Sequence, residues 1–349
     1  MSEARVTQLQ IARAARVHRT TVSLALADNP RIPKKTKARI KRIAEKLGYT
    51  PDPMLSALIA YRTTKRPVAF HGTLAWLANT EFGYDWKLVP HYRDYYDGAA
   101  ARARACGFQL EAFDFNTEGM QPRRMAGILR ARNVTGVLLC PQPLEKVKDR
   151  FDWGEFSTVT FGYTLAELGV HTVTAAHYRA MRRIVAELRR RGYRRIGFSF
   201  AQSLLERDDY NALAGFVVGD GHLDRPPEIP PLFGASRSAS VVGPWLKRYR
   251  PDAIVSGNHL ILDLLKELKI RVPEDIGAAC PFLPSADTAL AGIVEDSKRI
   301  GAIAVDQVIS MINRGERGIP EHPLRIHVEG GWLPGKSLRP LEIAAGARE

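Results

Sequence analysis

The sequence predicts two kinds of structure on one chain: a small all-α head at the N-terminal end, and behind it an α/β body of two parallel-sheet lobes. Three observations carry this. Apolar residues recur at helical spacing through the first fifty positions. From Pro67 the pattern changes to alternating strand and helix runs. Charge is also lopsided, because residues 1–66 hold 15 Lys and Arg against 4 Asp and Glu, a net of +11 in a chain that totals +14. A head that basic predicts a polyanionic partner, and the nearly neutral remainder reads as an ordinary globular body.

Within VTQLQIARAARVHRTTVSLAL, Thr7 caps a short helix whose inward residues are Ile11, Ala12 and Ala15. After a tight turn at Arg16 and Val17, a second helix runs from Arg19 to Leu26. Ala12 lets the axes approach, and Ile11, Val17, Val22 and Leu26 supply a minimal core, so the spacing is that of a helix-turn-helix. The outward set His18, Arg19, Thr20, Ser23 and Leu24 is of the kind that reads base edges in a major groove. A third helix follows with Pro33 in its first turn, Ile40, Ile43, Ala44 and Leu47 inward, and Gly48 at its end. Its other face, Lys34, Lys35, Lys37, Arg39, Lys41, Arg42 and Lys46, is a solvated surface or a phosphate-facing one. Residues 1–48 form the head and residues 49–66 a hinge. There Asp52 and Pro53 start a helix of about eight residues, marginal alone in water. Met54, Leu55, Leu58 and Ile59 make it too apolar for a free linker. It orders by pairing with a second copy over a minor groove, a leucine wedged between base steps, or by docking on the body.

In the body, residues 67–340, strands are expected at Thr73–Ala78, Gln109–Phe115 and Thr135–Cys140, with helices at Tyr92–Cys106 and Pro122–Arg132. A similar cycle restarts after Val170. Helices Ala176–Arg191, Tyr210–Val218 and Leu260–Leu268 interleave with strands Arg195–Phe200, Ala253–Ser256 and Ile276–Cys280. The corners ARARACGFQL and LRRRGYRRIG are the visible trace of a duplication. Parallel sheets bind ligands at the carboxyl ends of their strands, so two such lobes predict a cleft. Residues 341–349 are a tail without a leucine heptad, which predicts no tetramer zipper.

The run from Val6 to Leu58, read without a gap, resembles the DNA-binding head of the lac repressor (LacI/GalR) family of bacterial transcription regulators. The body, through GYRRIGFSF, PDAIVSGNHL, VPEDIGAAC and HVEGGWLPGKSLR, is similar to that family's effector domain, itself akin to periplasmic sugar-binding proteins. The resemblance implies a homodimer on a pseudo-palindromic operator in double-stranded DNA, controlled by a small-molecule effector, a carbohydrate by family, between the lobes. It places Arg19 and Thr20 on base-reading positions, Thr7, Thr21 and Ser23 on phosphates, and Leu58 on the minor-groove wedge. His18, Leu24, Lys35 and Ser56 complete the expected DNA-contacting set. Departures are Arg16 where the family usually has Gly, His18 where it has Ser or Thr, and Leu24 at a usually polar base-reading position. The resemblance also implies three crossings between lobes, the first near Gly162, with Gly292–Gly315 back in the first lobe and Leu324–Gly331 in the second. Expected effector contacts are Asn258, otherwise a loop cap; Arg207, a turn earlier than usual; Trp86 or Tyr92, stacking platforms or core; and Asn79, Glu295 and Ser297. The familiar acid after the PEDIG strand is missing, replaced by Pro281, Phe282 and Leu283.

Other classes find little support. No G-x-G-x-x-G after a strand, no P-loop and no G-x-S-x-G is present. His171 and His177 lack Cys or carboxylate partners at ligand spacing, so no metal and no cofactor is expected. Asp208 and Asp209 are adjacent, poor geometry for acid and base work, so no catalytic residue is assigned. Cys106, Cys140 and Cys280 read as reduced thiols. Neither a membrane-spanning run nor a secretion signal is apparent, and a cytoplasmic protein is expected. A solute-binding transport protein or an enzyme on the same scaffold are the alternatives.

Overall fold

The structure is a computed structural model, and it describes residues 6–26, 32–49, 70–80, 85–142, 150–221, 227–234 and 238–341. It divides into two units, Met1–Ala69 and Phe70–Glu349.

In the first unit α1 (Gln8–Ala15), α2 (Arg19–Leu26) and α3 (Lys34–Lys46) enclose a core in which Ile11, Val22, Ala25 and Ile40 are fully buried. Each of the larger three contributes about 1.5–3 kcal/mol. Leu47, expected inward, is 39% exposed instead. It is the C-cap of α3, still bonded through its N–H to the Ile43 carbonyl, and the chain turns away at the next residue, Gly48 at φ +68°. Thr7 and Gln10 form a reciprocal capping box: the Thr7 hydroxyl accepts from the Gln10 N–H, and the Gln10 side-chain Oε1 accepts from the Thr7 N–H. Arg16 closes α1 in the left-handed region at φ 49°, where a side chain is strained and glycine is not. Arg16→Gly is therefore expected to raise the head's stability by about 0.5–1 kcal/mol, read as a higher unfolding midpoint; a lower midpoint would refute the strain.

The second unit holds two six-stranded sheets of the same order. In the first, β2 (Phe108–Asp114), β1 (Gly72–Ala78), β3 (Gly136–Leu139), β4 (Ser157–Phe161), β5 (His171–Ala175) and β11 (Arg325–Val328) run in parallel. In the second, β7 (Leu232–Phe233), β6 (Ile196–Phe200), β8 (Ala253–Ser256), β9 (Gly277–Leu283) and β10 (Ala291–Val294) are parallel, and β12 (Gly331–Leu333) closes the edge antiparallel to β10. This shared order is the duplication hinted at by the two basic corners. Gly107 at φ +81° and Gly192 at φ +80° turn the chain alike after α4 (Pro90–Ala105) and α6 (His177–Arg190).

The chain crosses between the lobes three times, at positions that correct the expected ones. The first crossing lies between Ala175 and His177 rather than near Gly162, because β4 and β5 add to the first sheet through a short connection with no full helix to mark the lobe's end. The second follows β10, which pairs with β9 in the second sheet; only the helix after it, α11 (Ser297–Arg314), packs on the first. Arg325–Val328 belongs to the first sheet beside β5, not to the second lobe, so the third crossing falls at Glu329 and Gly330. Helices α5 (Pro122–Ala131), α7 (Gln202–Arg207), α8 (Asn211–Gly219), α9 (Ala239–Tyr249) and α10 (Ile261–Glu267) complete the described elements. The first core centres on the fully buried Trp76, the second on Phe198, Phe200 and Phe216.

Candidate functional site

In the head, the face of α2 predicted to read bases is presented to solvent: His18, Arg19, Thr20 and Ser23 are exposed, and Thr21 and Leu24 half-buried. His18 takes over the cap that Ser or Thr usually supplies, since its Nδ1 accepts from the Thr20 N–H at 3.3 Å and lies 3.0 Å from the Thr20 hydroxyl. Lys35 is exposed in the first turn of α3 and Thr7 at the start of α1. Ser56 and Leu58 lie outside the described residues.

In the body, a cleft of about 570 Å³ lies between the lobes at the carboxyl ends of their strands. Tyr92, Arg207, Glu295 and Ser297, all expected to meet the effector, line it together. Three others are not in its lining. Asn79 is buried, its backbone N–H donating to Gln142 Oε1 at 2.9 Å. Trp86 packs in the first core against Trp76 and Tyr96, ring centres 5.4 and 4.8 Å away. Asn258 is buried and its Oδ1 accepts from the Leu260 N–H at 3.1 Å, the geometry of a loop cap.

Sequence reasoning missed the charged centre of the cleft. His177, at the first crossing, hydrogen-bonds through Nδ1 to Asp208, and its Nε2 stands 3.7 Å from Glu295 Oε2 at the second crossing. Glu295 Oε1 accepts from the Tyr95 hydroxyl at 2.6 Å and from the Ser297 hydroxyl at 2.9 Å. Asp208 Oδ2 accepts from the Ala212 N–H at 2.7 Å. Asp208 is thus clamped by second-lobe backbone, while Glu295 is clamped by Tyr95 of α4 on the first lobe. No local spacing signals this, since the partners lie 31 and 118 positions from His177. Asp208 sits in the corner after α7 rather than on a helix face, followed by Asp209 and Tyr210 in left-handed conformations. Across the cleft, Arg207 donates to the Tyr92 hydroxyl, which itself donates to the Pro141 carbonyl at 3.1 Å.

Burial alone would pull the His177 imidazolium down, but the hydrogen bond and charge of Asp208, and then Glu295, outweigh it and hold it at about 10. Burial likewise works against the Glu295 carboxylate, and His177 and Tyr95 overcome it, bringing it to about 2. Burial pushes Tyr92 up to about 12 and pulls His91 down, so both are neutral at pH 7. Burial also raises the thiols of Cys140 and Cys280. Among the described residues no group of three or more His, Cys, Asp or Glu could hold a metal ion.

These values make a prediction of sign. A histidine raised from 6.5 to about 10 contributes stability that is full below pH 6.5 and lost as pH rises through 10. A glutamate lowered from 4.5 to about 2 contributes stability that is full above pH 4.5 and lost as pH falls through 2. The body is therefore expected to be most stable between those windows and to weaken between pH 7 and 10, by about 1.4 kcal/mol per unit for this group. His177→Gln should flatten that alkaline slope in urea melts; an unchanged slope would show that His177 is not its source.

Residues 9–52 match the family model described as bacterial regulatory proteins, lacI family. Among solved structures, the chain is similar to the transcriptional regulator CelR in complex with cellobiose, with 20% identity over 95% of this chain and 100% of that one and a TM-score of 0.60. A LacI-family regulator from Silicibacter pomeroyi gives 20% identity, coverage of 96% and 100%, and a TM-score of 0.54. The lac repressor dimer bound to operator and the anti-inducer ONPF gives 16%, coverage of 96% and 99%, and 0.56. No curated protein matches the chain in sequence. No helix among the described residues is long and apolar enough to cross a membrane. The helix-turn-helix at residues 9–52 thus matches the lacI-family model, and the body shares the two-lobed fold of these solved structures.

Proposed function

We propose that the protein is a transcriptional repressor that reads a pseudo-palindromic operator as a homodimer and answers to a small molecule, a carbohydrate, bound between the lobes of its body. The observation that carries the reading is the lacI-family head at residues 9–52, with Arg19 and Thr20 exposed at the start of α2, on the same chain as a two-lobed body with a 570 Å³ cleft. Two heads, one per half-site, would read DNA symmetrically, with phosphate contacts setting affinity and base contacts setting sequence. Arg207 and the centre built on Glu295 are the proposed effector contacts. The proposed role is binding in the cytoplasm rather than catalysis, and the commitment of the cleft's two buried carboxylates, Asp208 and Glu295, to His177, Tyr95 and Ser297 supports it. Two relatives in fold are recorded with cellobiose and with operator DNA, which supports both ligand classes. The effector's influence on DNA affinity must equal the influence of DNA on effector affinity.

Selection of fragments from random duplex DNA by the full chain, with and without a sugar panel, tests the proposal. The expected result is a palindromic consensus whose recovery changes with one sugar and falls steeply with salt. Binding no stronger than to random DNA in every condition would end it.

A further inference from the structure

We infer that the body carries a second small-molecule site, on α6 and outside the interlobe cleft, that takes a phosphoryl group, either free inorganic phosphate or a phosphate ester. This goes beyond the regulator reading and does not depend on what fills the cleft.

The two halves of α6 differ in how their positive charge is met. Toward its end every arginine faces a carboxylate: Arg189 pairs with Asp220, and Arg190 and the cap residue Arg191 with Glu187. Near its start Arg179, Arg182 and Arg183 share one face at i, i+3 and i+4 spacing. There one carboxylate stands against three guanidinium groups. Glu329 of the third crossing pairs with Arg179. Arg182 instead lies over the Tyr178 ring, 6.0 Å from its centre, and donates to the Tyr178 hydroxyl at 3.2 Å. Arg183 is exposed and has no carboxylate at ion-pair distance among the described residues.

This excess of charge coincides with a cavity. A pocket of about 470 Å³ is lined by all three arginines together with Ile293, Glu329 and Gly330, and it shares no lining residue with the cleft. Its far wall is stiff, because the third crossing passes so close over β10 that a Cβ on Gly330 would lie 2.5 Å from Ile293 Cγ2. Guanidinium groups give paired, parallel N–H donors to the oxygens of a phosphoryl group, and three of them around one pocket suit a compact dianion. Glu329 brings a single negative charge, whereas a phosphate monoester carries about −1.5 to −2 at pH 7. A phosphoryl group can therefore take Arg179 from Glu329 while it engages Arg183, and the exchange releases the tie between α6 and the third crossing.

Isothermal titration of the full-length protein in low-salt buffer, with inorganic phosphate, glucose 6-phosphate and glucose, tests this; the glucose arm subtracts any binding of the sugar in the cleft. Phosphate or glucose 6-phosphate is expected to saturate the protein, more weakly as salt is raised. Tighter binding of glucose 6-phosphate than of phosphate assigns an ester, and equal or weaker binding assigns the free anion. Arg183→Ala, at an exposed position that does not endanger folding, should weaken phosphoryl binding by about tenfold or more, the size of one lost charge-assisted pair. Glu329→Gln frees Arg179 and should tighten it. Arg190→Ala removes an arginine that Glu187 already neutralises and should leave it unchanged. No saturation by either phosphoryl probe, parental affinity in Arg183→Ala, or an equal loss in Arg190→Ala would each overturn the inference. Binding kept in Arg183→Ala but lost in Arg207→Ala would place the phosphoryl group in the cleft and overturn it as well.

Discussion

Replacing Arg19 by alanine is expected to cost about 1–3 kcal/mol of discrimination at each half-site, so a dimer engaging two half-sites should lose about 10²–10⁴ in preference for its operator over random DNA. Arg19 is exposed at the first turn of α2 with no carboxylate partner among the described residues, free to place its fork of donors on a base edge. Lys35→Ala should behave differently. It stands in the first turn of α3, and a contact to phosphate weakens specific and random DNA alike and lowers the slope of log affinity against log salt by about one per subunit. Titrating both variants on operator and random duplexes at several salt concentrations separates the roles. Equal losses on both DNAs in both variants would overturn the assignment.

The second large effect is expected at a pair of glycines. α4 and α11 pack so closely that a Cβ on Gly98 would lie 1.9 Å from the Lys298 carbonyl oxygen, and a Cβ on Gly301 would lie 2.0 Å from the Tyr95 carbonyl oxygen. Both obstacles are backbone and cannot swing aside. On a free helix Gly→Ala would stabilise by about 1 kcal/mol; here Gly301→Ala is expected to destabilise the body by about 3 kcal/mol or more, because the two helices must separate. The change should reach the cleft as well, since α4 carries Tyr92 and Tyr95 while α11 begins at Ser297, two residues after Glu295. The two glycines share one interface, so Gly98→Ala and Gly301→Ala together should cost less than their sum. Urea melts of the two single variants and the double check this, and a Gly301→Ala protein as stable as its parent would refute the close packing.

The head was legible residue by residue. The helix bounds of α2, the Thr7 cap and the buried Ile11 and Val22 all follow from local spacing, since three short helices around one small core leave few other arrangements. Leu47 escaped because helical periodicity gives the direction of a side chain at the end of α3 but not whether the small core still reaches it. In the body, strand and helix runs were legible, but the lobe boundaries were not. β5 and β11 pair across about 150 positions, and nothing in a short apolar run states which sheet it joins. The cleft was half visible: Tyr92, Arg207, Glu295 and Ser297 converge there, whereas Trp86 and Asn258 are claimed by core packing and loop capping.

From sequence alone follow the basic reading head, the alternation of strand and helix, and the presence of two like lobes, because charge, capping and periodicity act within a few residues of one another. The tertiary structure alone decided where the chain changes lobes, that Gly98 and Gly301 bring two helices into backbone contact, and that His177, Asp208 and Glu295 form one charged centre. Those partners meet only after the sheets assemble, and their mutual hydrogen bonds and opposite charges, outweighing the burial that would neutralise each alone, hold a histidine cationic and a glutamate ionised beside it.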